Sequence, residues 1–189
     1  MTDVRIAAVG ALFACAAICG CEGSPYDPQA HEQFLSAVKA GNASVVVFPA
    51  CVRSRTAEYN HEVGAALAAY FNDSGFARAT VSEQEPVLKT QWQMNQAKMW
   101  RQSAESFRAH IAEHPIDADY ALLAEYLLLG DGGVGGIHCY VVDRQGRLAE
   151  GLLLNSHHEE FSEANPQTID DCTKVLEAVI DEAWRRNAD

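Results

Sequence analysis

The sequence predicts a single α/β domain, with helices packed against one mixed sheet of about five strands. First, short β-branched runs alternate with longer stretches whose apolar residues recur at helical spacing, in the order β-α-β-α-β-β-β-α. Second, that alternation gives way to consecutive strands joined by a short turn, which makes the sheet mixed rather than wholly parallel. Third, the length left after residues 1–20 suits one hydrophobic core and not two. The chain divides into a signal-like segment over 1–20, a cysteine with tether and lead-in over 21–43, and the domain over 44–189.

Each element has a local reason. Residues Glu22 to about Gln33 are polar and hold Gly23, Pro25 and Pro28, as a tether would. Ser44-Val-Val-Val-Phe-Pro49 is β-branched and aromatic and closes on proline, which suits a buried first strand. Val63, Leu67, Tyr70 and Phe71 place a helix over Ala57–Phe71, stopped by Asn72-Asp73-Ser74-Gly75. Phe76–Val81 is a second short strand. Pro86 opens a helical stretch to His114, divisible at Ser103, with Trp100, Ala104, Phe107 and Ile111 on one face; Pro115 ends it. Asp119–Leu129 is almost wholly apolar and reads as the central strand. Ile137–Val142 and Leu148–Leu154 follow, joined by the Asp143-Arg-Gln-Gly146 turn. Asn165-Pro166 leads into a last helix with Ile169, Cys172, Leu176, Val179, Ile180 and Ala183 as its stripe.

Charge narrows the partners. The chain carries −12, and the first 20 residues hold one Arg and one Asp, so the remainder carries −12 as well. No cluster of Lys and Arg stands beyond the isolated Arg53/Arg55 and Arg185/Arg186 pairs, which argues against nucleic acid, and the same net charge argues against lying flat on anionic lipid. Of six cysteines, Cys51, Cys139 and Cys172 fall in the domain. An odd number leaves open one disulfide with a free thiol, or three buried thiols acting as small apolar residues.

The amino-terminal segment carries a family resemblance. A short region with Arg5 precedes an apolar run from Ile6 to Ile18, too short to span a bilayer, and it ends in Ile18-Cys19-Gly20-Cys21. This resembles the lipobox of bacterial lipoprotein precursors, with Cys19 at the −2 position. The resemblance implies cleavage before Cys21, a diacylglyceryl thioether on its sulfur and acylation of its amine. Several acyl chains at about 0.8 kcal/mol per buried methylene make such an anchor effectively permanent. It also implies a periplasm-facing domain, with Glu22, in place of the aspartate that favours inner-membrane retention, pointing to the outer membrane.

A second resemblance covers about residues 44–160. Val45-Val-Val-Phe-Pro49, the helix end Ala68-Ala-Tyr-Phe-Asn-Asp-Ser-Gly75, the strand entry Asp117-Ala-Asp-Tyr120 and the hairpin Tyr140-Val-Val-Asp-Arg-Gln-Gly146 carry it. Together they resemble the periplasmic domains of LpoB-like activators of penicillin-binding proteins and the related CsgG-like and TolB amino-terminal domains. The resemblance implies a non-catalytic domain, without cofactor, that binds another envelope protein.

Four patterns raise chemical alternatives. Cys51-Val-Arg-Ser54 follows the first strand, as in a thioredoxin-type thiol site at a helix amino terminus, but Ser54 stands where a resolving cysteine would. His110-Ile-Ala-Glu-His114 matches the HxxEH zinc-peptidase pattern, in which His110 and His114 share a helix face and Glu113 lies between; Pro115 puts His114 at the helix end. Gly130-Asp-Gly-Gly-Val-Gly135 spells GxGxxG but leads into a strand, so it reads as a hairpin connection. His157-His-Glu-Glu160 reads as a solvated loop. Glu125, inside the apolar third strand, must face solvent or find a partner, and an open sheet face is the expectation. The reading that emerges is a lipid-anchored envelope binding factor, with a Cys51 thiol protein and an HxxEH zinc hydrolase as alternatives.

Overall fold

The computed structural model describes residues 27–186; the lipobox-like segment, with Cys21, lies outside the described residues. In chain order the elements are α1 (Pro28–Lys39), β1 (Ser44–Val47), β2 (Ala50–Arg53), β3 (Ala57–Asn60), α2 (His61–Ser74), β4 (Arg78–Val81) and α3 (Gln96–Glu113). They continue with β5 (Tyr120–Leu128), β6 (Val134–Asp143), β7 (Leu148–Leu154), α4 (Glu159–Ala164) and α5 (Ile169–Arg186). The mixed α/β class holds, with seven strands in one sheet.

Strand β5 is the axis, as its apolar run, broken only at Glu125, requires of a strand covered on both faces. On one side it pairs antiparallel with β6, which pairs with β7. On the other side β1 and β2 lie end to end along it, β1 beside Tyr120–Leu122 and β2 beside Glu125–Leu127, both parallel. The expected first strand is thus longer than its apolar run and interrupted at Pro49, which has no N–H for the ladder. β4 flanks β1 in parallel, and β3 flanks β2 antiparallel. The edge at β4 is partly closed by the Asn72 side-chain amide, which donates to the Ala79 carbonyl and accepts from its N–H, both at 3.0 Å.

Helices cover both faces. On one, α1, α2 and α5 bury Phe34, Leu67, Phe71, Leu176 and Trp184 against Val45, Leu122, Tyr126 and Val141. Trp184 sits among Phe34 and Phe71, with ring centroids at 4.9 and 5.4 Å. On the other, α3 buries Ala104, Phe107 and Ile111 against Phe48, Leu123 and Tyr140, the face expected from their spacing. Glycine permits two close approaches. A Cβ on Gly64 would meet the Phe48 carbonyl oxygen at 2.9 Å, and one on Gly151 would meet the Trp100 ring at 2.3 Å.

Several boundaries differ from expectation. Residues read as tether contain α1, capped by Asp27 and opened by Pro28, with Ala30, Phe34 and Val38 buried in the core. Residues 57–60 form β3 rather than the first turn of α2, which starts after Asn60 accepts a hydrogen bond from the Val63 N–H at 3.1 Å. Pro86 does not open α3: Ser82–Asn95 is an extended strap, and the helix waits for the Asn95 cap. Glu159 begins the short α4, while His158 pairs with Glu160 at 2.9 Å.

Candidate functional site

The chemistry-bearing side chains converge under α3. Alternation along strands places Arg53 of β2, Glu125 of β5, and His138 and Tyr140 of β6 on one face of the sheet. All four are buried, with Glu125, His138 and Tyr140 at 0 % exposure. Arg53 Nε donates to Glu125 Oε1 at 2.5 Å. Tyr140 OH donates to Oε2 at 2.9 Å, and His138 Nδ1 lies 3.1 Å from the same oxygen. Glu125 therefore finds partners on a closed face, not the open face expected of it.

The strap seals this cluster. Arg53 Nη1 reaches the Thr90 carbonyl at 3.4 Å, and Thr90 Oγ1 lies 2.8 Å from Ser103 Oγ on α3. Tyr59 OH donates to the Pro86 carbonyl, while Leu88 is buried among Phe107 and its neighbours. Burial alone would raise the Glu125 carboxyl, but the hydrogen bond and charge at His138, then Arg53, outweigh it and hold it down at about 2. Burial, then the Glu125 charge, pushes the Cys51 thiol up to about 12. Burial likewise raises the Tyr140 phenol well above its ordinary value. The carboxyl, thiol and phenol thus keep their charge states near neutral pH, and the cluster acts as a brace joining three strands.

Cys51 lies within β2, fully buried and 3.9 Å from Arg53 Nη2. The intervening β3 separates it from the start of α2, so the helix amino terminus expected beside a thioredoxin-type thiol is not adjacent in sequence. Cys139 and Cys172 are buried on the opposite face, and all three thiols are free. His110 packs its ring edge on Phe48, with centroids at 5.7 Å. His114 is the C-cap of α3, its ring stacked on His110 at 4.5 Å and its Nδ1 3.0 Å from the His110 carbonyl oxygen. Glu113 is exposed, and among the described residues no group of three or more His, Cys, Asp or Glu side chains is placed to share a metal. Gly130–Gly133 turns the β5–β6 hairpin, with the Leu129 N–H donating to the Gly133 carbonyl at 2.7 Å, and a strand follows as expected.

Sequence reasoning singled out Cys51 and Glu125 but missed Arg53, His138 and Tyr140 as their companions. The signal was present: polar residues two apart, His138 and Tyr140, share one face of an apolar strand. Among the described residues no helix is long and apolar enough to cross a membrane. The fold and site define a single mixed α/β domain with a sealed polar brace. Comparison of the chain with protein-family models and with curated protein sequences returns no match.

Proposed function

We propose that this chain is a lipid-anchored envelope lipoprotein whose α/β domain is a non-catalytic binding or assembly factor for another envelope protein. The observation that carries the reading is the short connection between the lipobox-like cysteine and the folded domain. The Asp27 N–H donates to the Leu148 carbonyl at 3.1 Å, and Asp27 then caps α1. From Cys21 to Asp27 the chain reaches about 20 Å at most, so an anchor at Cys21 holds the domain beside the bilayer. Confinement of that kind raises the effective concentration of a binding partner without new contacts. The resemblance to LpoB-like and CsgG-like domains names a penicillin-binding protein or a secretion component as the partner class.

The sealed brace supports binding over chemistry. A thiol buried and held near 12 supplies almost no thiolate at neutral pH, which weighs against a redox role for Cys51. Likewise, His114 is engaged in closing its own helix rather than facing a ligand site. Mass spectrometry of the mature amino terminus tests the anchor. A diacylglyceryl-modified Cys21 with residues 1–20 removed is the expected result, and an intact or unmodified terminus contradicts it.

A further inference from the structure

Resting on that reading of a chain anchored at Cys21, we infer that a recess at the tethered end of the sheet binds a dipolar phospholipid headgroup, a phosphodiester that carries an ammonium group. The recess has a volume of about 420 Å³, and Gln33, Arg78, Asp119, Tyr120, Asp143 and Arg144 are among the residues that line it. Strand register brings them together. Tyr120 of β5 pairs with Asp143 of β6 on one side and Val45 of β1 on the other, while Arg78 opens β4 beside Ser44. Asp27 enters beside Leu148, which pairs with Val142, next to Asp143, so recess and tether share one end of the sheet. α1 runs from that entry to the recess, where Gln33 Oε1 accepts from Arg147 Nη2 at 3.1 Å.

An unsatisfied donor points to a ligand. Tyr120 is 7 % exposed, with its ring edge-on to Phe34 at 5.0 Å between centroids, yet its hydroxyl has no hydrogen-bond partner among the described residues. The charges of Asp119, Asp143, Arg147 and Arg144 all act on that hydroxyl, which sets it among the polar groups of the recess. Burial, then the charges of Asp119 and Asp143, raises the phenol above its ordinary value, so it remains a donor near neutral pH. A donor this enclosed is costly without a partner, and a bound acceptor removes the cost.

Both signs of charge line the recess, and they select a dipole over a simple anion. Asp143 is fully engaged: Oδ1 accepts from the Gln145 and Arg147 N–H groups, and Oδ2 from Arg147 Nε at 2.7 Å. Asp119 Oδ2 accepts from Ser44 Oγ at 2.6 Å, which leaves Oδ1 open among the described residues. Arg78 and Arg144 are exposed, and neither forms an ion pair among the described residues; Arg144 Nε meets the Gln145 side-chain amide at 3.3 Å. Two guanidinium groups and a phenol thus offer donors to a phosphate, while Asp119 Oδ1 offers an acceptor to an ammonium. Lys39 and Asp117, each two residues from the lining residues Ala37 and Asp119, are exposed and of opposite sign. The chain as a whole carries −12 and is repelled by anionic lipid, so a headgroup of zero net charge is the one its tethered end can meet.

Titration of the full mature chain in phosphate-free detergent micelles with two soluble headgroups, read by saturation-transfer NMR, tests the site. Glycerophosphoethanolamine should bind about tenfold more tightly than glycerophosphoglycerol, which has the same phosphodiester and no ammonium. Asp119→Asn should erase that preference. Arg78→Gln/Arg144→Gln should weaken both ligands about tenfold or more, and Tyr120→Phe should weaken both to a smaller extent. No binding, equal affinity for the two diesters, unchanged affinity in the arginine variant, or glycine binding more tightly than either overturns the assignment. In vesicles of phosphatidylethanolamine and phosphatidylglycerol, a photoreactive residue replacing Gln145 should crosslink the ethanolamine lipid preferentially. Soluble binding without that adduct gives the site to a free ligand and overturns the headgroup. The anchor is judged separately by the mass of the Cys21 terminus: an unlipidated chain that still binds overturns the tether and leaves the recess standing.

Discussion

The two faces of the central sheet are stabilised by different physics. Beneath α1, α2 and α5 the core is almost wholly apolar, with aromatic rings around Trp184. Beneath α3 the same strands bury an ion pair and two further polar side chains. The apolar face is held by area removed from water, a non-directional force that tolerates repacking. The α3 face depends on geometry, since a buried charge is tolerable only while its partners remain. The difference teaches that a buried acid in this domain signals a brace, whereas a buried thiol can equally be a small apolar residue, as Cys139 and Cys172 are on the other face.

The largest expected effect breaks the brace on one side. Arg53→Met leaves the Glu125 carboxylate buried without its guanidinium and should lower unfolding free energy by about 3–5 kcal/mol in urea titration. Arg53→Met/Glu125→Leu removes both charges and should recover most of that loss. If the double variant is no better than the single, the brace is more than a compensated ion pair. On the apolar face, Leu176→Ala should cost about 2–5 kcal/mol through the cavity it leaves, measured in the same way. No second substitution of opposite charge is available to rescue it, which sharpens the contrast. Gly151→Ala forces a methyl against Trp100, whose Nε1 donates to the Leu152 carbonyl at 3.0 Å. That overpacking should cost about 1–3 kcal/mol and alter the near-UV circular dichroism.

The pH dependence should separate the faces by sign. The Glu125 carboxyl is held below its ordinary 4.5, at about 2, so its contribution is present above 4.5 and lost as pH falls toward 2. Stability should therefore drop through that acid window, and drop less steeply in Arg53→Met/Glu125→Leu. At the rim of the apolar face, the hydrogen bond to Glu150 raises His31 above its ordinary 6.5 despite partial burial. His31 Nδ1 lies 3.3 Å from Glu150 Oε2 and 3.1 Å from the Ala149 carbonyl oxygen, joining α1 to β7. Its contribution is present below 6.5 and lost as pH rises through the raised value. Being partly exposed, it should be worth under about 1 kcal/mol, read as a small loss of stability with rising pH in wild type that His31→Leu lacks.

The apolar face was the more legible of the two in the sequence. The stripe from Ile169 to Ala183 and the run from Tyr120 to Leu128 announce themselves by period and length. The α3 stripe was equally plain at Ala104, Phe107 and Ile111, but its start was not, because Gln91–Asn95 has ordinary composition and only the Asn95 cap marks the helix. α1 hid behind the tether-like Pro25 and Pro28, although Phe34 and Val38 stand one helical turn apart. The brace was half legible. Glu125 declared itself as a polar residue in an apolar strand, while Arg53 joined it only because the chain continues past Pro49 as β2. That continuation is a tertiary fact: β5 supplies the free backbone groups that extend the strand, and local spacing does not contain them.

The central claim, that this domain keeps its reactive groups sealed and works by binding, is tested most directly by alkylating the native protein with peptide-level readout. Cys51 on the brace face and Cys139 and Cys172 on the apolar face are all buried, each thiol pushed to about 12. The account predicts slow modification of all three at neutral pH, with rates that rise together in urea as the domain unfolds globally. Rapid native-state labelling of Cys51 alone would contradict it, opening the brace to solvent and placing thiol chemistry ahead of binding.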